Sequence, residues 1–410
     1  MTSEPTECFV WIWLPDATEP VVCGRLDSAA EPLTFTYGRT YLGRPDAVPI
    51  FEPELPLRAG AQTSISGTRL PLCVDDTMPD SWGRQVVQYR RGQTTAEYGE
   101  LTYLLESGSD RVGALDYQTS PTVYTPREQT NPTLDDLYDA IDAVDTGSLE
   151  HVDPRLVDVL LNGTLLGGAR PKAILSVDGR PVIAKFSKST DTFPWVQAEF
   201  VAMELARRAG LNVAPVEVVA VGDRQALLVE RFDRHNNGCR RRVVSALTVL
   251  GFNTFPDGRY ATYAGVAHQI RAQFEDPNQQ LRELFGRIAF NILCGNTDDH
   301  GRNHAAYVNP AGLALTPAYD IAPQPRTGRN ANQAMAYTDE LGDRDSRVGL
   351  LVDAAGIYHL DRHEAVAIVD AQVTVIREQW DEVGDIARLT AADRNSLLGL
   401  QFLNPHAFDA

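Results

Sequence analysis

Residues 293–324 read LCGNTDDHGRNHAAYVNPAGLALTPAYDIAPQ. In the run before them, Gln280 to Cys294, the apolar residues Leu281, Leu284, Phe285, Ile288, Ile292 and Leu293 recur at helical spacing, and Gly295 suits a C-terminal cap. The pattern predicts a helix that stops at the glycine and releases a polar loop carrying Thr297, Asp298, Asp299, His300, Arg302, Asn303 and His304. Ala305–Val308 and Leu313–Thr316 then read as two short strands around the turn Asn309–Gly312. That hairpin returns a third acidic position, Asp320, beside the loop.

The layout suits phosphoryl transfer. This chemistry needs a carboxylate that positions or deprotonates the attacking hydroxyl, and hard oxygen ligands that hold magnesium across nucleotide phosphates. Asp298 is the candidate base; Asn303 and Asp320 are the candidate ligands. Protein kinases place an Asp, an Asn five positions on, a short hairpin and a metal-binding Asp in the same order. An isolated D-x-H-x-x-N is equally compatible with a solvated polar loop, so the segments upstream have to decide.

At 410 residues the chain is long for one domain, and 43% apolar content without a long uninterrupted apolar run indicates a soluble globular protein. The opening MTSEPTECFVWIWLPDA lacks a basic n-region and reads as a strand rather than a signal peptide, so the expected location is cytoplasmic, with no membrane association. A net charge of −18 disfavours unaided binding to nucleic acid or anionic membrane, because phosphate contacts need clustered Lys and Arg. Five scattered cysteines, Cys8, Cys23, Cys73, Cys239 and Cys294, support neither a disulfide framework nor a zinc site.

Upstream, Gly167–Gly168 precede two alternating runs, Ala173–Val177 and Arg180–Phe186, joined by the two-residue hairpin signal Asp178–Gly179. A glycine pair before a strand, not a helix, excludes a Walker-type loop and a Rossmann fingerprint. It matches the loop by which a kinase covers nucleotide phosphates, with Lys172 at its exit and Lys185 on the second strand. Lys185 alternates with Val182, Ala184 and Phe186 and points away from the phenyl ring; an exposed edge lysine is the plain alternative. Trp195–Gly210 reads as a helix in which Glu199 is placed to pair with Lys185 or to sit in solvent. Strands Val216–Val221 and Gln225–Val229 run into Glu230-Arg231-Phe232-Asp233-Arg234, the position of a kinase hinge. There the backbone at Glu230 and Phe232 would meet the adenine edge, with Phe232 as a packing residue the alternative.

The N-terminal segment carries strand signals at Phe9–Trp13, Val21–Leu26, Thr34–Tyr37 and Ala114–Tyr117, and helical pieces at Trp82–Arg91 and Thr95–Ser107. Trp11, Trp13 and Trp82 read as packing residues. A Thr- and Pro-rich stretch, Thr119 to Pro132, marks a linker, followed by helices at Thr133–Val144 and Pro154–Leu161. Gln324 to Arg347 reads as a mobile polar loop, and His363–Glu378, Gln379–Arg388 and Ala391–Leu400 as amphipathic helices. The expected division is a β-rich subdomain over 1–120, a small lobe over 133–234 and a helical lobe over 235–410.

GGARPKA (Gly167–Ala173), VERFDR (Val229–Arg234), the TDxHxxN loop (Thr297–Asn303) and YDI (Tyr319–Ile321) together resemble the HipA family of toxin serine/threonine kinases. MPDSWGR (Met78–Arg84) and DRVGAL (Asp110–Leu115) are similar to that family's N-terminal subdomain, so the likeness spans almost the whole chain. It implies an α+β fold: a two-lobed, protein-kinase-like arrangement with a β-rich N-terminal subdomain and a helical C-terminal lobe. It also implies ATP- and Mg2+-dependent phosphorylation of a protein Ser or Thr, with an aminoacyl-tRNA synthetase as one conceivable target.

By the same resemblance, Asp298 is the catalytic base, Asn303 and Asp320 bind the metal, and Lys185 contacts phosphate. Gly167, Gly168, Ala169, Arg170 and Lys172 form the loop over the phosphates, and Glu230 and Phe232 the hinge. Apart from the resemblance, His300 is a candidate cofactor-side residue that reads as hydrogen-bonding within the catalytic loop rather than as a metal ligand. The implied partner is a small helix-turn-helix antitoxin, with DNA reached only through it. Two departures qualify this: the glycine loop offers Thr164 and no serine for autophosphorylation, and Asp299 directly follows Asp298, which leaves the choice of base to the alignment with Asn303. Rival readings are a small-molecule kinase, a catalytically silent corepressor, and a transition-metal hydrolase using Asp298, Asp299, His300, His304 and Asp320, which leaves the glycine loop and Lys185 without a role.

Overall fold

The computed structural model describes residues 4–29, 31–79, 83–84, 87–88, 91, 97–127, 132–146, 153, 156, 159, 170–235, 237–253, 257–326, 328 and 330–409. The expected helix at Pro154–Leu161, the glycine-loop residues Gly167, Gly168 and Ala169, Thr164 and Trp82 fall wholly or mostly outside them. The chain divides into two units, Met1–Ser189 with Glu230–Val244, and Thr190–Val229 with Ser245–Ala410. The architecture is α+β as expected, β-rich toward the N-terminus and helical toward the C-terminus.

The first unit is built on an antiparallel sheet of strands β1 (Glu7–Ile12), β2 (Val21–Asp27), β3 (Thr34–Tyr37), β4 (Ala61–Gln62) and β5 (Leu115–Gln118), in the order β4-β3-β2-β1-β5. Val10, Ile12, Leu26, Phe35 and Tyr117 are fully buried in its core. Gly24 is required where it stands: a Cβ there would lie 2.5 Å from both the Phe35 ring and the Thr36 carbonyl oxygen. Trp11 and Trp13 are buried as read from the sequence. Both rings meet Tyr124, at 5.4 and 5.6 Å between centroids, and Tyr124 donates to Asp116 at 3.0 Å. Residues 119–127, expected as a linker, are therefore strapped to the sheet by aromatic packing that composition does not disclose.

Helices α1 (Glu100–Glu106) and α2 (Leu134–Thr146) follow, then the hairpin β6 (Lys172–Val177) and β7 (Arg180–Phe186). Asp178 and Gly179 have φ of 51° and 75°, the left-handed pair that a two-residue turn of matching twist demands. Tyr138 of α2 packs edge-on against Phe186 at 5.0 Å. Val182, Ala184 and Phe186 are buried, so Lys185 lies on the opposite face of its strand, as the alternation predicted.

In the second unit, α3 (Trp195–Arg208) precedes the hairpin β8 (Val216–Val221) and β9 (Arg224–Glu230). Helices α4 (Ala246–Leu250), α5 (Tyr263–Gln273) and α6 (Pro277–Cys294) come next. In α6, Leu281, Leu284, Phe285, Ile288, Phe290, Ile292 and Leu293 are all fully buried. Each contributes about 2 kcal/mol of burial, which fixes the end of the helix that feeds the polar loop. Strands β10 (Ala305–Val308) and β11 (Leu313–Leu315) pair antiparallel after that loop.

Two expectations for the tail are corrected. The two helices read at His363–Glu378 and Gln379–Arg388 are one, α8 (Arg362–Ile386), after α7 (Val348–Asp353) and before α9 (Ala391–Leu397). No Gly or Pro interrupts residues 362–383, and a capping box closes the start, with Asp361 accepting from the Glu364 amide at 2.8 Å and Glu364 from the Asp361 amide at 2.9 Å. The segment Gln324 to Arg347, expected as a mobile polar loop, is tied down. Met335, Ala336 and Tyr337 are buried, Tyr263 donates its amide to the Ala336 carbonyl at 2.8 Å, and residues 332 and 345 form a bridge. Among the described residues no helix is long and apolar enough to cross a membrane.

Candidate active site

The polar loop begins where α6 is stopped. Gly295 takes a left-handed conformation, φ 73° and ψ 25°, and a Cβ on it would sit 2.8 Å from the Gln401 carbonyl oxygen. Asn296 is buried and turns its Nδ2 to Asn291 Oδ1 at 3.0 Å and to the Asp320 carbonyl oxygen at 3.4 Å. Two residues later the consecutive aspartates part company. Asp298 is exposed, while Asp299 is only 2% exposed and its Oδ2 accepts from the Tyr263 hydroxyl at 2.6 Å and meets His304 Nε2 at 3.0 Å.

Those environments set opposite electrostatics. Burial works to raise the pKa of Asp299, but the charge and hydrogen bond of His304 and the hydrogen bond from Tyr263 overcome it and hold the carboxyl below its ordinary range. For Asp298, desolvation raises the pKa, Asp320 and Asp299 add to the rise, and His300 opposes it. The influence of Asp320 and His300 on Asp298 is one of proximity, so the loop gathers these three groups. His300 is exposed, and its carbonyl accepts the Asn303 amide at 2.8 Å.

Asn303 is buried and folds back, its Nδ2 donating to the Asp298 carbonyl at 3.2 Å. Gly301 lets the loop approach α4: a Cβ there would lie 2.6 Å from Leu247 Cδ2. The returning strand is clamped on the other side. The Tyr319 hydroxyl donates to the Arg302 carbonyl at 2.6 Å, the Gln324 amide to the Gly295 carbonyl at 3.0 Å, and Ala318 bridges in parallel to Val213. Asp320 itself has φ 57°, an uncommon conformation for a residue with a Cβ and one that concentrates at functional sites. Asp298, Asn303 and Asp320 thus form one constellation within the second unit. Its donors are a carboxylate, an amide and a second carboxylate, the hard oxygen set that suits magnesium. The rival transition-metal set loses two members, since Asp299 and His304 are committed to each other.

The remaining predicted residues lie in the first unit. Lys172 and Lys185 are direct cross-strand partners of the β6–β7 hairpin, so both ammonium groups stand on one face of it, with Lys172 only 5% exposed. Arg170 leads into that hairpin, downstream of the undescribed Gly167–Ala169. Glu230 and Phe232 are half-buried on the connector. The connector is fixed by an ion network that sequence reading missed. Arg231 forks onto Asp233 at 3.0 and 2.8 Å, Arg234 reaches Asp233 at 2.7 Å and Asp110 at 2.7 Å, and Asp233 accepts the Gly113 amide at 2.8 Å. Burial pushes the Asp110 and Asp233 carboxyls up, yet the Arg231 and Arg234 guanidiniums carry both below the usual carboxylate range. DRVGAL and VERFDR, separate in sequence, are the two sides of this network. Tyr263 and Asn296 were also missed, and His304, read from the sequence as a loop residue and a rival metal ligand, is instead the partner of Asp299; the only local signal for that pairing was the doubled aspartate followed by a histidine five positions after Asp299.

Residues 164–380 match the family model of the HipA-like C-terminal domain and residues 17–118 that of the HipA N-terminal domain. The serine/threonine-protein kinase toxin HipA of Shewanella oneidensis is 30% identical over 187 residues, covering 38% of this chain and 42% of the relative. The putative kinase Y4mE of Sinorhizobium fredii is 29% identical over 184 residues, covering 42% of this chain and 41% of the relative. The chain spans about two fifths of the length of these curated relatives. In three dimensions it resembles a chain of the Shewanella oneidensis complex of HipA, HipB and operator DNA, with TM-score 0.68 and 22% identity over 97% of this chain and 99% of that one. The family models alone cover more than half of the residues, and the chain belongs to the HipA family.

Proposed function

We propose that this chain is an ATP- and magnesium-dependent serine/threonine protein kinase and the toxin of a toxin–antitoxin pair. The observation that carries the reading is the division of labour between adjacent aspartates. Asp299 is buried and locked by Tyr263 and His304, so it stiffens the loop. Asp298 is presented to solvent by that rigid support, beside Asn303 and Asp320.

In this reading Asp298 accepts or orients the proton of the acceptor hydroxyl. Asn303 and Asp320 would hold magnesium, which supplies charge neutralisation on the transferring phosphoryl oxygens when bound. Lys172, Lys185 and Arg170, with Gly167, Gly168 and Ala169, would hold the phosphates. The backbone at Glu230 and Phe232 would take the adenine edge, and His300 would flank the nucleotide. Residues 133–234 would act as the nucleotide-holding lobe, and 235–410 as the lobe that carries the base. Catalysis is then mainly positioning and charge stabilisation.

The structurally similar chain was solved with HipB and operator DNA, which supports a small DNA-binding antitoxin as partner. A net charge of −18 fits contact with DNA through such a partner rather than directly, and a cytoplasmic site of action follows from that pairing.

The test incubates the purified chain with γ-labelled ATP, magnesium and a cell extract, then separates proteins from small molecules. Label on Ser or Thr of a discrete protein, lost without magnesium, is expected. Label confined to the small-molecule fraction would replace the reading with a small-molecule kinase, and no transfer at all would favour a catalytically silent corepressor.

A further inference from the structure

The loop Asp110–Gly113, which leads into β5, is gripped by both arginines of the connector that follows β9. Arg231 reaches the Asp110 carboxylate at 2.9 Å and donates Nη2 to the Arg111 carbonyl at 2.9 Å. Arg234 donates Nε and Nη2 to Asp110 Oδ1 at 3.0 and 2.7 Å, and Nη1 to the Gly113 carbonyl at 2.8 Å. In return the Gly113 amide donates to Asp233 at 2.8 Å.

These bonds bracket Phe232 on both sides. The Arg231 amide is spent on the Pro181 carbonyl at 3.0 Å, which ties the connector to β7, and the Arg241 amide on the Asp233 carbonyl at 3.0 Å. The course of the backbone past Glu230 is therefore set by Arg231 and Arg234, and their anchor is the N-terminal loop. Both side chains are buried, and two guanidiniums there meet two carboxylates, Asp110 and Asp233. Forked, charge-assisted bonds in a dry setting fix direction as well as distance, where apolar contact alone would let the connector slide.

We infer that Asp110 and Arg234 are positioning residues for nucleotide binding. They hold the backbone at Glu230 and Phe232 where it would meet the adenine edge, which makes residues 110–113 of the N-terminal subdomain part of the nucleotide site. The inference rests on the hinge role proposed above for that backbone. It leaves the transfer step to Asp298, Asn303 and Asp320, so it concerns affinity for ATP and not turnover.

Calorimetric titration of the full chain with ATP and magnesium, run beside steady-state transfer assays, tests it. Asp110→Asn keeps the side-chain shape and leaves Asp233 to pair with both arginines. The dissociation constant and KM for ATP should rise about tenfold, while kcat stays within about twofold of native. Arg234→Lys keeps the charge but loses the fork, and should act in the same way. Tyr124→Phe removes a hydrogen bond to Asp116 in the same unit but outside the network, so it should lower the melting temperature and leave ATP affinity alone. In the native chain nucleotide should also slow hydrogen exchange at the Gly113 amide, an effect lost in Arg234→Lys. Native affinity in both Asp110→Asn and Arg234→Lys, an equal loss of affinity in Tyr124→Phe, or exchange at Gly113 indifferent to nucleotide would each overturn the inference. A native chain that binds no ATP would instead defeat the hinge role itself, and the inference with it.

Discussion

Replacing Asp299 by Asn tests the claim that the buried aspartate, not its exposed neighbour, holds the loop together. In the native protein Asp299 Oδ2 is met by Tyr263 at 2.6 Å and His304 at 3.0 Å, all three side chains being buried. A hydrogen bond to a charged group contributes about 1.5–3 kcal/mol and a neutral one about 0.5–1.5 kcal/mol, so neutralising the shared acceptor should cost roughly 2–3 kcal/mol. For a unit of about 200 residues this lowers the melting temperature by roughly 4–12 °C. The pH dependence carries the sign. His304 and Tyr263 hold the folded carboxyl below its unfolded value of about 3.9, so its contribution is complete above about pH 5 and disappears as pH falls through the depressed folded value. Urea melts of the two proteins should therefore differ by a constant amount from pH 8 to about pH 5, draw together as the pH falls below about 4, and converge only below the depressed folded value. A midpoint unchanged by the substitution, or a gap that widens toward acid, would refute the reasoning.

Three further outcomes follow from the packing. Gly301→Ala should cost about 1–3 kcal/mol by pressing on Leu247, and Leu247→Ala in the same chain should restore part of the loss in a denaturant melt. Asp233→Ala leaves the buried Arg231 and Arg234 with Asp110 as their one remaining shared carboxylate, so the first unit should lose about 3 kcal/mol by the same measurement. Asp361→Ala removes the cap of α8 and should cost about 1 kcal/mol, seen as faster hydrogen exchange confined to the first turn of that helix.

Much of this protein was legible locally, and the parts that were not share a cause. The Asp178–Gly179 hairpin, the apolar stripe of α6 and the Gly295 stop are written in neighbouring residues, and the structure places them where the pattern did. So, too, was the grouping of Asp298, His300, Asn303 and Asp320, since a short hairpin joins them. The partners of Asp299 were hidden because Tyr263 comes from α5, 36 residues upstream, in a stretch without a recognisable motif. The Asp110–Arg234 network closes over 124 residues, and no periodicity announces an ion pair of that separation. The helix of 25 residues, α8, was split because its apolar stripe drifts; the absence of a Gly or Pro around residues 378–379 was the better guide. Residues 119–127 and 324–347 were taken for loose segments on composition, yet single aromatics, Tyr124 and Tyr337, anchor them.

The most direct trial of the central claim compares phosphoryl transfer by the native chain and by Asp298→Asn at saturating ATP and magnesium. Asp298 is exposed and touches no core residue's stability, so the variant should melt as the native chain does and still bind nucleotide, while its transfer rate falls by about 10²–10⁴-fold. A variant that transfers phosphate at the native rate would contradict the account.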